Sequence, residues 1–275
     1  MSFLPLCEDA RMHPAVEEVV RVAREGRAFY ATRSGESLVF LDAAPWAGGR
    51  PTGRTAPGAG WELLAPAEPT KIVCVGLNYR AHVAESATIV PGGGDAPSEP
   101  MIFLKPPSAV LAPGQPIVYP RGVTRLDPEA ELAVVIGRRA NRVPAERAAE
   151  FIAGLTCFND VSARNYQKQD GQWTRAKGFD TFAPLGPAVV TGLSPEGRRV
   201  ECRVNGERRQ LGNTSDLLFA VPALIAHISH IMTLEPGDVI ATGTPAGVGP
   251  VSPGDRIEIE VEGVGILENV VVDAP

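Results

Sequence analysis

The sequence is poor in cysteine and has no run of basic side chains. Its four cysteines stand singly with no C-x-x-C spacing, so they favour buried, reduced thiols. Lysine and arginine number 26 against 32 acidic residues, which gives a net charge of -6. Because no stretch of the chain could follow a phosphate backbone, nucleic acid is not an expected partner.

The chain also lacks the patterns that direct a protein into a membrane. No apolar stretch approaches the length of a membrane span, and MSFLPLCEDARMH has neither the basic region nor the apolar core of a secretory signal. We therefore expect a cytoplasmic protein with no membrane partner. The P-loop lysine, the dinucleotide fingerprint and G-x-S-x-G are missing as well, so neither a nucleotide site nor a serine nucleophile is predicted.

What is present is a β-rich pattern in two parts. Residues 1–65 predict a small N-terminal α/β domain and linker, with a helix over residues 14–26. Residues 66–275 predict the main domain, in which short strands are interrupted by helices that begin near Pro144 and Pro222. The predicted fold class is α+β, dominated by sheet. Residues 86–99 have the composition of a mobile loop, of a length that is typical of lids.

The most informative motif is a pair of glutamates, Glu129 and Glu131, at the start of the apolar strand ELAVVIG. Side chains at this spacing point to one face of a strand, and the residues that follow indicate that both faces are buried. Neighbouring buried carboxylates repel each other unless a positive charge meets them. Asp160 follows in FNDVSAR, and three carboxylates without cysteine or paired-histidine ligands predict a site for Mg²⁺, with Mn²⁺ or Ca²⁺ as alternatives.

A second glutamate pair provides a contrast within the same chain. Glu258 and Glu260 also stand two residues apart, but Arg256 and Glu262 share their face in RIEIEVEG. Charged residues all along one side of a strand are typical of a face in contact with water. This pair therefore predicts a solvated strand surface and no metal site.

His82 and Glu85 stand three residues apart in GLNYRAHVAE, just before the predicted mobile loop. A single helical turn brings side chains at this spacing together. A carboxylate beside an imidazole orients the ring and favours its protonated form, so the pair could take a proton from water or substrate. The alternative is a surface turn in which the pairing has no role. His227 and His230 share this spacing, but an apolar stripe on their helix predicts packing or helix-edge positions.

Lys177 is the candidate cation of the site. It lies near Trp173, Phe179 and Phe182 in the sequence, which predicts partial burial. A buried ammonium group needs an anionic partner such as a carboxylate or an enolate. Arg175 is the alternative anion binder.

Seven segments, taken together and in this order, resemble the fumarylacetoacetate hydrolase family: GLNYRAHVAE, PMIFLKPPSA, PEAELAVVIG, GLTCFNDVSARNYQ, GQWTRAKGFDTFAPLGP, VNGERRQLGNTSDLLFAVPALIAHIS and TLEPGDVIATGTPAGVG. The resemblance spans roughly residues 62–272, and the first sixty residues match poorly. It implies a mixed β-roll catalytic domain, usually a homodimer, that acts on a small oxo-acid substrate.

The resemblance also implies roles for individual residues. The matching positions are Glu129, Glu131 and Asp160 for the ion, His82 and Glu85 for a water-activating dyad on a lid, Lys177 for contact with substrate, and Lys105, Gln167 and Thr244 for the pocket. The turn that carries Thr244 is rich in glycine, which lets a ligand approach the backbone, although a plain tight turn is the alternative. Asn165 departs from the pattern, because members often carry aspartate after the SAR triplet, so a contact around the metal carboxylates is expected to differ.

The activity implied is metal-dependent hydrolysis of a carbon–carbon bond in an acylpyruvate or other 1,3-diketo acid, which gives pyruvate and a carboxylic acid. The same enolate chemistry without an attacking water gives two alternatives. These are decarboxylation of oxaloacetate and isomerisation or decarboxylation of the 2-hydroxyhepta-2,4-diene-1,7-dioate type. A catalytically silent metal-binding scaffold is the non-enzymatic alternative.

Overall fold

A computed structural model describes residues 16–86 and 96–275. Strands dominate the described chain: β1 (Glu18–Arg24), β2 (Arg27–Ser34), β3 (Ser37–Leu41), β4 (Pro51–Pro57), β5 (Glu62–Leu64), β6 (Ile72–Gly76), β7 (Met101–Lys105), β8 (Val110–Leu111), β9 (Ile117–Tyr119), β10 (Leu126–Asp127), β11 (Ala130–Ile136), β12 (Ile152–Asn159), β13 (Ser162–Ala163), β14 (Ala183–Val190), β15 (Arg199–Val204), β16 (Glu207–Asn213), β17 (Val239–Ala241), β18 (Arg256–Val261) and β19 (Gly265–Asp273).

The helices are short and few in this part of the chain. The α-helices are α1 (Arg80–Ser86), α2 (Arg164–Asp170), α3 (Thr174–Lys177) and α4 (Val221–Ile231). Single 3₁₀ segments span Pro45–Ala47, Pro107–Ala109, Ala145–Phe151 and Thr214–Asp216. None of these helices combines the length and the apolar composition needed to cross a membrane.

Two sheets form the body of the protein. The larger has 12 strands along the path β4-β3-β2-β1-β14-β12-β11-β17-β6-β7, with β5 beside β1 and β8 beside β14. The smaller has five strands in the order β16-β15-β18-β19-β9, and β10 pairs separately with β13. The central strand β11 runs antiparallel to both of its neighbours, β12 and β17.

Strand β11 lies in the middle of the core, and all of its residues are buried. Leu132 and Val134 on one face belong to an apolar cluster that includes residues of β15 and β18 in the smaller sheet. Ala133 and Val135 on the other face belong to a second cluster, with residues of β6 and β14. Burial on both sides explains the continuous apolar run after Glu131 and confirms the prediction made from it.

The N-terminal segment differs from its prediction. Residues 18–24 form β1, so the predicted helix over 14–26 is wrong, and residues 14 and 15 lie outside the described chain. Val19, Val20 and Val22 are buried and β-branched, which favours a strand. Strand β1 also pairs with β2, which follows it directly in the sequence, and with β14, which is far away in the sequence. Pairing in the sheet therefore decides the conformation here.

Most of the other predictions about the fold are confirmed. Helix α4 has Pro222 in its first turn and confirms the predicted helix. The segment after Pro144 is a 3₁₀ helix and not the α-helix that its composition suggested. His227 is half-buried and His230 is exposed, with Nδ1 of His230 donating to the Ala226 carbonyl at 2.7 Å, as expected for packing and helix-edge residues. The α+β, sheet-dominated class is confirmed.

The division of the chain stays a prediction. The boundary placed between residues 65 and 66 falls after β5 and before β6, but β1 pairs with β14, so the N-terminal strands extend the larger sheet. Most of the predicted mobile loop, residues 86–99, lies outside the described residues. Three cysteines, Cys74, Cys157 and Cys202, are buried and free, as predicted, and Cys7 lies outside the described chain.

Asp238 connects β17 to the start of β6. Its fully buried carboxylate accepts hydrogen bonds from the backbone N–H groups of Thr70 at 3.0 Å, Lys71 at 3.1 Å and Glu235 at 2.7 Å. The Thr70 hydroxyl, at 2.7 Å, and the Lys71 ammonium group donate to the same carboxylate. These donors satisfy a charge that would otherwise be costly to bury. They hold in place the strand β6, which leads into the site described below.

We predict that Asp238→Ala lowers the free energy of unfolding by roughly 3–5 kcal/mol, because it leaves a cation and several donors without their partner. Urea denaturation measures the loss. Glu207→Ala is the control, since it removes only an exposed pair with Arg209 and should change stability little. An Asp238→Ala protein as stable as this control would contradict the role assigned to Asp238.

Candidate metal centre

Three carboxylates meet where β11 begins and β12 ends. Because the two strands are antiparallel, with Ala130 opposite Asn159, Glu129 and Asp160 lie side by side just beyond the ladder. The Asp160 N–H donates to the Glu129 carbonyl at 2.9 Å and fixes this junction. Ligand oxygens of Glu129, Glu131 and Asp160 all lie within 4.8 Å of one another. The three residues are 5%, 1% and 1% exposed.

Cations surround this carboxylate cluster. The Lys177 ammonium group donates to Glu129 Oε2 at 2.8 Å and to Asp160 Oδ2 at 2.5 Å. Lys105 donates to Asp160 Oδ1 at 2.5 Å, and Arg164 donates through Nη2 to Glu129 Oε1 at 2.5 Å. Buried carboxylates require such compensation, since the cost of removing an unpaired charge from water is several kcal/mol.

The pKa values of the two glutamates shift in opposite directions because their partners differ. Burial alone would raise the pKa of Glu129, but Lys177 and Arg164 hold that pKa well below its usual range. Burial raises the pKa of Glu131 well above its usual range, and the charges of Asp160 and Glu129 raise it further. Glu131 has no salt bridge among the described residues and accepts from the Gly243 N–H at 2.8 Å. It is the carboxylate whose charge a bound cation would stabilise most.

The donor set fits a hard divalent cation. Carboxylate oxygens converge from three side chains, and none of the three groups is a thiolate or an imidazole. Mg²⁺, Mn²⁺ and Ca²⁺ prefer such oxygen donors. The raised pKa of Glu131 agrees with this, because a bound cation would favour the charged carboxylate that burial and the neighbouring carboxylates disfavour.

The histidine–glutamate pair forms on α1. His82 Nδ1 lies 3.2 Å from Glu85 Oε2, so Nε2 is the ring nitrogen that faces away from the carboxylate. Both Glu85 oxygens also accept from the Gly247 N–H, at 3.2 and 3.1 Å. The hydrogen bond from His82 lowers the pKa of Glu85, and the backbone bond from Gly247 acts in the same direction. Gly247 has φ +102°, and a Cβ there would meet the Arg209 carbonyl oxygen at 2.1 Å, so only glycine fits this contact.

One small cavity brings most of the predicted site residues together. The three carboxylates line it with His82, Gln167, Lys177 and Thr244. Thr244 donates its hydroxyl to the Ala130 carbonyl at 2.9 Å, which ties the glycine-rich turn to β11. Lys105 is 1% exposed and binds Asp160, but it does not itself line the cavity.

Arg175, the alternative anion binder, is outside this cavity. Its guanidinium group lies 3.9 Å from the centre of the Tyr166 ring and pairs with Asp170 at 2.5 Å on the surface. Asn165 also lies away from the carboxylates. Its amide donates to the Gly122 carbonyl at 3.1 Å and accepts from the Thr124 N–H at 3.2 Å. The departure at Asn165 therefore leaves the described contacts of the triad unchanged.

Two features of the site were missed in the sequence. Arg164, in the SAR triplet, lines the cavity and is held by Asp127 at 2.8 Å and by the Gln167 side-chain oxygen at 2.8 Å, besides Glu129. The second feature is an apolar wall of the same cavity, formed by Val75, Leu77, Phe103 and Trp173. The signal for Arg164 was its position four residues after Asp160, but the sequence does not show which carboxylate a nearby arginine reaches.

Comparison with known proteins decides the family. The family model described as fumarylacetoacetate (FAA) hydrolase C-terminal matches residues 71–272, which include the triad, the dyad and Lys177. The chain belongs to the fumarylacetoacetate hydrolase family. A second model, Rv2993c-like N-terminal, matches residues 19–66, the segment in which the sequence resemblance was poor.

Relatives of this family member carry several activities in their names. A mitochondrial oxaloacetate tautomerase of Rattus norvegicus is 42% identical over 76% of this chain and 69% of its own length. A 5-carboxymethyl-2-hydroxymuconate delta-isomerase from Mycobacterium smegmatis has a similar structure, with TM-score 0.86, 45% identity, and 94% of this chain and 100% of that chain covered. A maleylpyruvate hydrolase from Sphingobium sp. SYK-6, solved with manganese(II) and pyruvate, has TM-score 0.76, 30% identity and the same coverage.

We predict that saturating Mn²⁺ or Mg²⁺ raises the melting temperature by roughly 5–10 °C, because an ion that binds only the folded state stabilises it. Glu131→Ala should abolish this shift. Glu258→Ala is the matched control, since it removes one glutamate of the other pair, and it should keep the shift. Differential scanning calorimetry with and without EDTA measures the effect. A metal shift that persists in Glu131→Ala would contradict the assignment of the site.

Proposed function

We propose that this enzyme of the fumarylacetoacetate hydrolase family is a Mg²⁺-dependent hydrolase of acylpyruvates and related 1,3-diketo acids. The observation that supports it most directly is that the carboxylate triad and the His82 ring line the same cavity, while Glu85 orients that ring from behind. A metal centre and an oriented base are the two elements that this hydrolysis requires.

Glu129, Glu131 and Asp160 would hold the ion, which would supply Lewis acidity to the 2-oxo acid end of the substrate. Lys177 and Arg164 place positive charge at the same end of the cavity, where negative charge develops as the carbon–carbon bond breaks. The apolar wall of Val75, Leu77, Phe103 and Trp173 lines the same cavity.

His82 would act on the attacking water. Its Nε2 takes one proton from the water, while Glu85 keeps Nδ1 protonated and the ring in a fixed orientation. The hydroxide adds to the remote carbonyl, the bond between that carbon and its neighbour breaks, and the electron pair passes to the pyruvate enolate. The protonated His82 then returns this proton to the enolate carbon, which gives pyruvate, and the other product is a carboxylic acid.

A second candidate is keto–enol tautomerisation of oxaloacetate or isomerisation of a related dioic acid. Sequence identity supports it, because the relatives named as tautomerase and isomerase are 42% and 45% identical, against 35% and 30% for two relatives named as hydrolases. The same His82 base would then move a proton between carbon and oxygen with no attacking water.

The test is Mg²⁺-dependent loss of enol absorbance from acetylpyruvate, with oxaloacetate in parallel, EDTA as the control and pyruvate measured as product. We predict that pyruvate forms from acetylpyruvate and that His82→Ala lowers this rate by roughly 10²–10⁴-fold, the usual contribution of a general base. His227→Ala is the matched control on α4 and should keep the rate.

The outcomes separate the candidates. Loss of the oxaloacetate enol with no pyruvate from either substrate would replace hydrolysis by tautomerisation. Pyruvate from oxaloacetate alone would indicate a decarboxylase. Full hydrolysis of acetylpyruvate by His82→Ala would exclude the dyad as the source of the base.

A further inference from the structure

A second cavity adjoins the metal cavity on its apolar side. The metal cavity has a volume of about 20 Å³, room for one or two water-sized groups. The neighbouring groove is larger, about 360 Å³, and opens to solvent along β7 and the start of α3. A substrate larger than one or two water-sized groups therefore extends beyond the metal cavity, and the groove shares lining residues with that cavity.

The two cavities share a wall. Phe103, Gln167 and Trp173 line both of them. Trp173 is held in place by an edge-to-face contact with Phe103, with ring centres 5.2 Å apart. Its ring also covers Gly76, where a Cβ would come within 2.9 Å of the ring, so the absence of a side chain at Gly76 makes room for it. The indole thus has a defined position between the metal cavity and the groove.

The chemistry of the groove is apolar and uncharged. Met101, Ile102, Phe103 and Trp173 supply its apolar surface, and its other lining residues are glycine and two glutamine amides. Lys177 and Arg164, the cations that line the metal cavity, pair with its carboxylates and with Asp127 and do not line the groove. Among residues 16–86 and 96–275, no charged side chain lines the groove to meet a second carboxylate on a substrate.

We infer that this groove is the subsite for the acyl group, and that the preferred substrates are 2-oxo acids with an uncharged, apolar tail of several carbons. This inference rests on the proposed function only in taking the 2-oxo acid end to lie at the carboxylate triad. It assigns Trp173 and Met101 a part in specificity. It also distinguishes this chain from relatives whose names refer to substrates with two or more carboxylates.

A matched pair of stable ligands tests the inference by binding alone. 2-Oxohexanoate and 2-oxoadipate have the same carbon chain and differ only in a terminal methyl group or carboxylate, and pyruvate has the 2-oxo acid end without the tail. Titration calorimetry with the Mn²⁺-loaded protein measures all three. Each buried methylene strengthens binding by up to about fourfold. We expect 2-oxohexanoate to bind at least about tenfold more tightly than pyruvate and than 2-oxoadipate.

Substitutions then locate the subsite. Trp173→Ala should remove most of the advantage of 2-oxohexanoate over pyruvate. Met101→Lys puts a cation into the groove and should reverse the preference toward 2-oxoadipate. Leu104→Lys is the matched control, because Leu104 is 46% exposed on the opposite face of β7 and lies outside both cavities.

Different binding results would contradict the acyl subsite and the binding of the 2-oxo acid end at the carboxylate triad. Tight pyruvate binding with no preference for 2-oxohexanoate, or with 2-oxoadipate preferred by the unmodified protein, would overturn the acyl subsite and leave the metal end intact. Absence of pyruvate binding to the Mn²⁺-loaded protein would overturn both this inference and the proposed function. A reversal by Leu104→Lys equal to that by Met101→Lys would show that surface charge, and not the groove, sets the preference.

Discussion

The site depends on the neutralisation of carboxylates that the fold buries at one end of β11. Charges of opposite sign alternate through direct contacts from the surface to the core, in the order Arg125, Asp127, Arg164, Glu129, Lys177, Asp160 and Lys105. Glu131 lies beside this series of ion pairs and has no salt bridge among the described residues. Buried ion pairs of this kind contribute less to stability than to a defined arrangement of side chains. Here the arrangement holds oxygens of Glu129, Glu131 and Asp160 within 4.8 Å of one another.

The fold explains why these charges can lie together. Strands β11 and β12 are antiparallel neighbours in the middle of the larger sheet, so the start of one and the end of the other bring Glu129 and Asp160 together. The turn after β17 adds the Gly243 N–H and Thr244, and Asp238 connects the beginning of the same strand to β6. The apolar wall of the metal cavity includes Val75 on β6 and Phe103 on β7.

Much of this site could be predicted from the sequence because its signals are local. Glu129 and Glu131 have the period of a strand, and His82 and Glu85 have the spacing of a helical turn. Lys177 is buried against carboxylates, more deeply than its aromatic neighbours in the sequence indicated. The role of Arg164 and the pairing of Lys105 with Asp160 depend on contacts between distant segments, and no spacing encodes them. The same reason applies to β1. The spacing of its valines is compatible with a helix, but these residues form a strand because β2 and β14 lie beside them.

The most direct test of the account is the position of a bound ion. Anomalous diffraction from crystals soaked in Mn²⁺ would locate it independently of turnover. The account predicts one strong peak per chain at about 2.0–2.5 Å from oxygens of Glu129, Glu131 and Asp160, the range of distances for hard cations and carboxylates. No peak at these carboxylates in Mn²⁺-saturated crystals, or a peak elsewhere with the Lys177 contacts unchanged, would contradict it.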